Sequence, residues 1–112
     1  MELFLHLLPL VVALAIPVFL IHAIFWGMTF TVDAAHVRIR FYGVTARKVA
    51  LNDIEWAAQD WAFWNEHWTN TMSTKRIVLL RRRTGVFKNF LISPPVPADF
   101  LQALAAQGVT VR

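Results

Sequence analysis

The sequence predicts a membrane-anchored α+β chain: one transmembrane helix followed by a small antiparallel β domain closed by a C-terminal helix. Three observations predict it. From Leu3 to Met28 there is no Asp, Glu, Lys or Arg. From Thr29 onward, apolar residues recur at every second position in several short stretches. Near the C-terminus, Phe100, Leu101, Leu104 and Ala105 return to helical spacing.

The charge-free run sets the first element. At ~1.5 Å per residue its 26 residues reach about 39 Å, more than the ~30 Å hydrocarbon core of a bilayer. Composition agrees: 57% hydrophobic and 16% charged residues depart from the usual ~45–50% and ~25% toward lipid. A buried soluble helix is rarely so long and so uniformly apolar. A cleaved signal peptide would have a basic start and a shorter apolar stretch, whereas this chain begins Met1-Glu2. Residues 1–29 are therefore expected to be the anchor and residues 30–112 the domain. Pro9 and Pro17 are tolerable inside a membrane helix, usually with a kink. Trp26 suits the headgroup layer, which makes it a lipid-contacting residue. Ala23 and Gly27 form a small-xxx-small pair that would let a partner helix approach, although such a pair also arises by chance in an Ala-rich helix.

All 11 basic residues follow the run, beginning with Arg38 and Arg40. The positive-inside rule then puts the N-terminus outside and the domain in the cytoplasm, a single-pass arrangement. There is no cysteine, so neither a disulfide framework nor a thiolate metal site can form.

Within the domain, Thr29 to Val32 alternates and Asp33-Ala34-Ala35 reads as a turn. Val37, Ile39 and Phe41 alternate with His36, Arg38 and Arg40 as a half-buried strand. Gly43 permits a turn, and Val49 and Leu51 continue the alternation to Asn52-Asp53. Ile54, Trp56 and Ala58 form a fourth strand, with Trp56 expected in the core. Ile77 to Leu80 is a short apolar run, and Thr84-Gly85 turns into a strand over Val86–Ile92. Pro97 at a first turn, Asp99 at the positive end of the dipole and Gly108 as a stop bound the final helix.

About six short antiparallel strands closed by one amphipathic helix resemble the bacterial pleckstrin-homology-like (PH-like) family over roughly Thr29 to Gly108. The residues carrying the resemblance are Phe30-Thr31-Val32-Asp33, Arg38-Ile39-Arg40-Phe41-Tyr42-Gly43, Val49-Ala50-Leu51-Asn52-Asp53-Ile54, Arg76-Ile77-Val78-Leu79-Leu80 and Phe100-Leu101-Gln102-Ala103-Leu104. The resemblance implies that the helix plugs one end of a curved sheet. It also implies fusion to membrane helices and a role like that of photosynthetic complex assembly proteins, which are accessory factors for larger complexes. The location implied is the bacterial cytoplasmic (inner) membrane. In phosphoinositide-binding relatives the first hairpin loop is basic. Here that loop is Asp33-Ala34-Ala35-His36, which departs from the pattern and argues against inositol-phosphate recognition.

Catalytic chemistry needs convergent groups. The four glycines are scattered, no His-x-x-x-His spacing occurs, and the carboxylate pairs Asp53/Glu55 and Asp60/Glu66 read as turn and surface residues. No enzyme activity and no resident cofactor or metal are expected. His6 and His22 lie in the span, about 24 Å apart along a helix, too far to ligate one group together. His22 alone could bind a pigment or haem offered by a neighbouring subunit, or hydrogen-bond across a helix interface.

Two surface features remain. Four of the five tryptophans fall between Trp56 and Trp68. Trp61, Trp64 and Trp68, with Phe63 among them, would share a face on a helical turn. They suit a protein hot spot or a segment dipping into headgroups, since Trp is enriched at both, unless one or two fill the core. The second feature is a basic cluster, Lys75, Arg76, Arg81, Arg82, Arg83 and Lys88. On a tethered domain it would meet anionic lipid before nucleic acid, or remain a solvated face. The expected function is a non-catalytic accessory subunit or assembly factor of a photosynthetic or respiratory membrane complex. Its partners would be other integral membrane proteins. The alternatives are a stand-alone anionic-lipid module and a subunit ligating a cofactor through His22.

Overall fold

The computed structural model describes residues 1–112. Helix α1 spans Glu2–His22 and passes without a break into a π-helical segment, Ala23–Gly27. Together they form the one helix long and apolar enough to cross a membrane. Pro9 and Pro17 stand inside it, and none of the side chains from Glu2 to His22 is buried by the rest of the chain. The helix projects from the domain, and the molecule measures 62 × 28 × 27 Å.

Strand β1 starts at Met28, inside the span anticipated for the anchor, because the Met28 side chain enters the domain core. β1 (Met28–Val32), β2 (His36–Phe41) and β3 (Val44–Ala50) form an antiparallel sheet in that order. The β1–β2 turn is fixed by Asp33, whose Oδ1 accepts from the backbone N–H of Ala35 and of His36 at 2.8 Å each. The β2–β3 turn places Tyr42 at φ 51° and Gly43 at φ 84°. Positive φ at both central residues is what a tight hairpin of this hand requires, and a bulky Tyr tolerates it poorly.

The second sheet holds β4 (Ile54–Ala58), β5 (Glu66–Trp68), β6 (Val78–Arg82) and β7 (Asn89–Ile92) in the order β4-β6-β7-β5. The chain thus has seven strands where about six were expected. One pair, β5 with β7, is parallel. The strand expected from Val86 begins only at Asn89; Val86 sits in the preceding loop and is exposed.

Alternation explains the core. Val37 and Ile39 of β2, Val78 and Leu80 of β6, and Phe90 and Ile92 of β7 point inward between the sheets. Helix α2 (Pro97–Ala106) adds Phe100 and Leu104. The chain turns out of it through Gly108 (φ 90°), after which the N–H of Val109 returns to the Leu104 carbonyl at 3.1 Å. Leu79 and Leu91 face the other way and join Ile77 in a second, outer cluster. The apolar run Ile77–Leu80 is continuous because both faces of its strand are covered.

Candidate functional site

The outer cluster is covered by the Trp-rich segment. β4 and β5 lie at opposite edges of the four-stranded sheet. The chain between them, residues 59–65, crosses the outer face as a strap rather than a helical turn. Ala62 packs on Ile77, Leu79 and Leu91, and Trp61 lines a shallow groove with Ile77 and Leu91. Gln59 bonds the Lys75 carbonyl, and Asn65 Nδ2 donates to the carbonyls of Ala62 (2.7 Å) and Phe63 (3.0 Å). The shared helical face expected for Trp61, Trp64 and Trp68 therefore does not form. A three-and-four spacing can equally decorate a loop when its ends are held by strands.

The indoles separate. Trp68 is on β5, packs against the main core and tilts against Phe41 at 6.2 Å between ring centroids. Its Nε1 donates to Glu66 Oε2 at 2.8 Å. It is half-buried against the core, apart from the exposed rings of the strap. Trp56, expected in the core, instead lies on the outer cluster with the Arg112 guanidinium 4.5 Å above its ring. Trp61, Phe63 and Trp64 remain 52%, 83% and 61% exposed. Trp64 stacks on Phe87 at 5.1 Å, Asn89 Nδ2 ties its carbonyl at 3.0 Å, and Val86 beside Phe87 is 82% exposed. Two loops, 59–65 and 83–88, thus present one aromatic surface held by strands beneath it. Phe87 joins it by stacking on Trp64, a contact that local spacing does not reveal.

A second aromatic group sits where α1 meets the domain. His22 Nδ1 is hydrogen-bonded to the Tyr42 hydroxyl, and the His22 ring stacks between Trp26 (5.4 Å) and Tyr42 (5.7 Å). Phe19, one turn earlier on the helix, also stacks with Tyr42 at 6.0 Å. Tyr42 also lies flat on Gly27: a Cβ there would come within 2.8 Å of its ring. The face formed by Ala23 and Gly27 is therefore not open to a partner helix, since both are buried within this chain. The hydrogen-bond partner foreseen for His22 across a helix interface is supplied by its own domain, and one ring nitrogen is engaged there. Trp26 stays exposed at the end of the helix.

One member of the basic cluster is neutralised and two more are hydrogen-bonded to neutral acceptors. Arg82 Nε donates to Asp53 Oδ2 at 2.9 Å, with the two side chains only 14% and 15% exposed. Arg81 donates to Asn89 Oδ1 at 2.8 Å, and Arg76 to the Ser93 carbonyl at 3.3 Å. Lys75, Arg83 and Lys88 are exposed. Arg83 lines a groove with Ala34, Ala35 and Asn52, at the end of the first sheet away from α1. Of the four residues expected to face lipid, Arg82 is withdrawn into an ion pair, Arg81 is half-buried, and Arg83 and Lys88 remain exposed.

Three of the seven carboxylates are engaged in ion pairs. Arg38, aided by the N–H groups of Ala35 and His36, holds the Asp33 carboxyl well below the ordinary carboxylate range. For Asp53, burial works to raise the pKa, but hydrogen bonds from Thr84 and Arg82 outweigh it and the net shift is downward. Glu66 is lowered chiefly by its hydrogen bond from Arg47, 2.9 Å away, against the opposing effect of burial. No three His, Asp or Glu side chains converge in an arrangement that could hold a metal. No protein-family model, curated protein or solved structure matches the chain.

Proposed function

We propose that the chain is a non-catalytic accessory subunit or assembly factor of a bacterial membrane complex. In this reading α1 crosses the inner membrane once, with the N-terminus outside. The domain is PH-like and caps the cytoplasmic side. One observation carries the proposal: Trp61, Phe63 and Trp64 are exposed together on a strap whose backbone is held by two strands and by the Asn65 and Asn89 side chains. Large aromatics on a pre-positioned surface are the composition of protein-binding hot spots. Most polar groups around them already have partners within the chain, so the surface offers apolar area more than chemistry.

The PH-like reading is supported by two sheets packed around one core with a C-terminal helix closing it. The anchor reading is supported by the uninterrupted apolar helix, and the orientation by 11 basic residues that all follow it. Purification of the tagged full chain from bacterial membranes in mild detergent tests the proposal. Integral membrane proteins should co-elute in fixed ratio. A chain that elutes alone across several mild detergents refutes it.

A further inference from the structure

The outer face of the first sheet carries a second cationic surface, beside the end of α1. Cross-strand partners share a face, and the register aligns Thr31 with Arg38 and Arg38 with Lys48. It also aligns Thr29 with Arg40 and Arg40 with Thr45. Because Val37 and Ile39 point into the core, Arg38 and Arg40 point out, with exposed Thr29, Thr31, Thr45 and Lys48 around them. Two like charges, Arg38 and Lys48, stand directly opposite one another, which destabilises a sheet unless something offsets it. Within the chain only Asp33 does so, by pairing with Arg38 at 2.7 Å. Arg40 and Lys48 belong to none of the ion pairs, and the Arg40 Nε is buried without a hydrogen-bond partner.

Position identifies what is missing. Thr29 is the second residue of β1 and follows the last helical residue, Gly27, by two. The row Thr29–Arg40–Thr45 therefore borders the end of α1. The row Thr31–Arg38–Lys48 lies two residues, about 7 Å, further on. With α1 in a bilayer, headgroup phosphates stand at this level, and long Arg and Lys stems can extend along the sheet to reach them. We infer that Arg40 and Lys48, with the hydroxyls of Thr29 and Thr45, bind the phosphates of anionic lipids in the leaflet the domain faces. The inference rests on the proposed membrane span. It differs from the sequence expectation, which placed lipid contacts at Arg81–Arg83 and Lys88.

The test uses the full chain in detergent, titrated with phosphatidylglycerol or phosphatidylcholine and read by native mass spectrometry. Phosphatidylglycerol should bind the parent in preference to phosphatidylcholine. Arg40→Gln with Lys48→Gln should weaken phosphatidylglycerol binding roughly 25-fold, about fivefold for each charge removed. Arg81→Gln with Arg83→Gln should change it less than about twofold. High salt should shrink the preference, since exposed charges are screened. The charge-preserving pair Arg40→Lys and Lys48→Arg should retain parent binding, and this pair reads the outcome if the Gln pair does not fold. Equal binding of the two lipids, or unchanged binding in the Gln pair, overturns the inference. So does a Gln pair that keeps its lipid and loses a co-purifying protein, since the cations would then face a protein carboxylate. Alkaline carbonate extraction separates failure of the span: a parent chain released from membranes refutes the anchor, whatever the lipid titration gives.

Discussion

Replacing Asp53 by Asn should unfold the domain about 10–20 °C earlier. The Asp53 carboxylate joins the turn at the end of the first sheet to the β6–β7 loop. It accepts from Arg82 Nε at 2.9 Å, from the Thr84 N–H at 3.1 Å and from the Thr84 hydroxyl at 2.8 Å. Asparagine keeps an acceptor for Thr84 but sets an amide N–H against the Arg82 donor. Removing one member of a buried ion pair costs ~3–5 kcal/mol, mostly because the other charge is stranded. Here the Asp53 side chain is 15% exposed, so water relieves part of that cost and about 2–3 kcal/mol is expected. A domain of this size loses ~4–8 °C per kcal/mol, which gives the stated shift. The assay is thermal unfolding of the full chain in mild detergent at pH 7, followed by tryptophan fluorescence because α1 stays helical in the micelle. Arg82→Met and the double variant complete a cycle, in which the pair should couple by at least ~1 kcal/mol. A shift below ~3 °C for Asp53→Asn, or an additive cycle, would refute the buried-pair account.

Acid should act on the same pair and on two others. Asp33, Asp53 and Glu66 all have folded-state pKa values below their ordinary ones. The folded chain therefore binds fewer protons than the unfolded chain in acid. Their stabilisation is complete above the unfolded values of ~3.9 and ~4.3 and is lost as pH falls through the folded values. Chemical denaturation at pH 7, 5, 4 and 3 should show a level midpoint above about pH 5 and a decline below about pH 4; a midpoint rising on acidification contradicts it. Gly27→Leu would drive a side chain into Tyr42, whose ring lies 2.8 Å from the Cβ position. Spin labels at Leu10 and Gln102 should give one narrow distance distribution in the parent and a broadened one in the variant, and an unchanged distribution argues against the Tyr42 latch. A cysteine introduced at Glu2 should react with an impermeant thiol reagent on intact cells and one at Arg112 should not; the reverse pattern inverts the topology.

The parts of the fold legible in the sequence are those set by local pattern. The charge-free run gave α1, the alternation of Val37, Ile39 and Phe41 gave β2, and Pro97 with Gly108 bounded α2 to within a residue or two. What local pattern could not supply was pairing over distance. Asp53 and Arg82 are 29 positions apart, so a run of three arginines looked like a free cationic face although one of them is paired beneath the surface. The Trp61–Trp64–Trp68 spacing mimics a helix, and only the sheet order reveals that this chain must cross from one edge to the other. Gly27 looked like a helix-packing residue because the ring that covers it comes from Tyr42, in a turn whose positive φ no propensity favours for Tyr. Arg38 and Arg40 were visible as charges, but their shared face with Lys48 depends on register.

The proposed function turns on the exposed strap aromatics binding a partner in the membrane complex. The direct measurement compares parent and Trp61→Ala/Phe63→Ala/Trp64→Ala chains, purified identically in mild detergent, for the amount of co-eluting membrane protein. These side chains are exposed, so the unfolding midpoint should fall by no more than a few degrees. Truncating hot-spot residues costs at least ~2 kcal/mol of binding, so co-elution should fall roughly thirtyfold or more. A triple variant that stays folded and keeps its full complement of partner would contradict the claim.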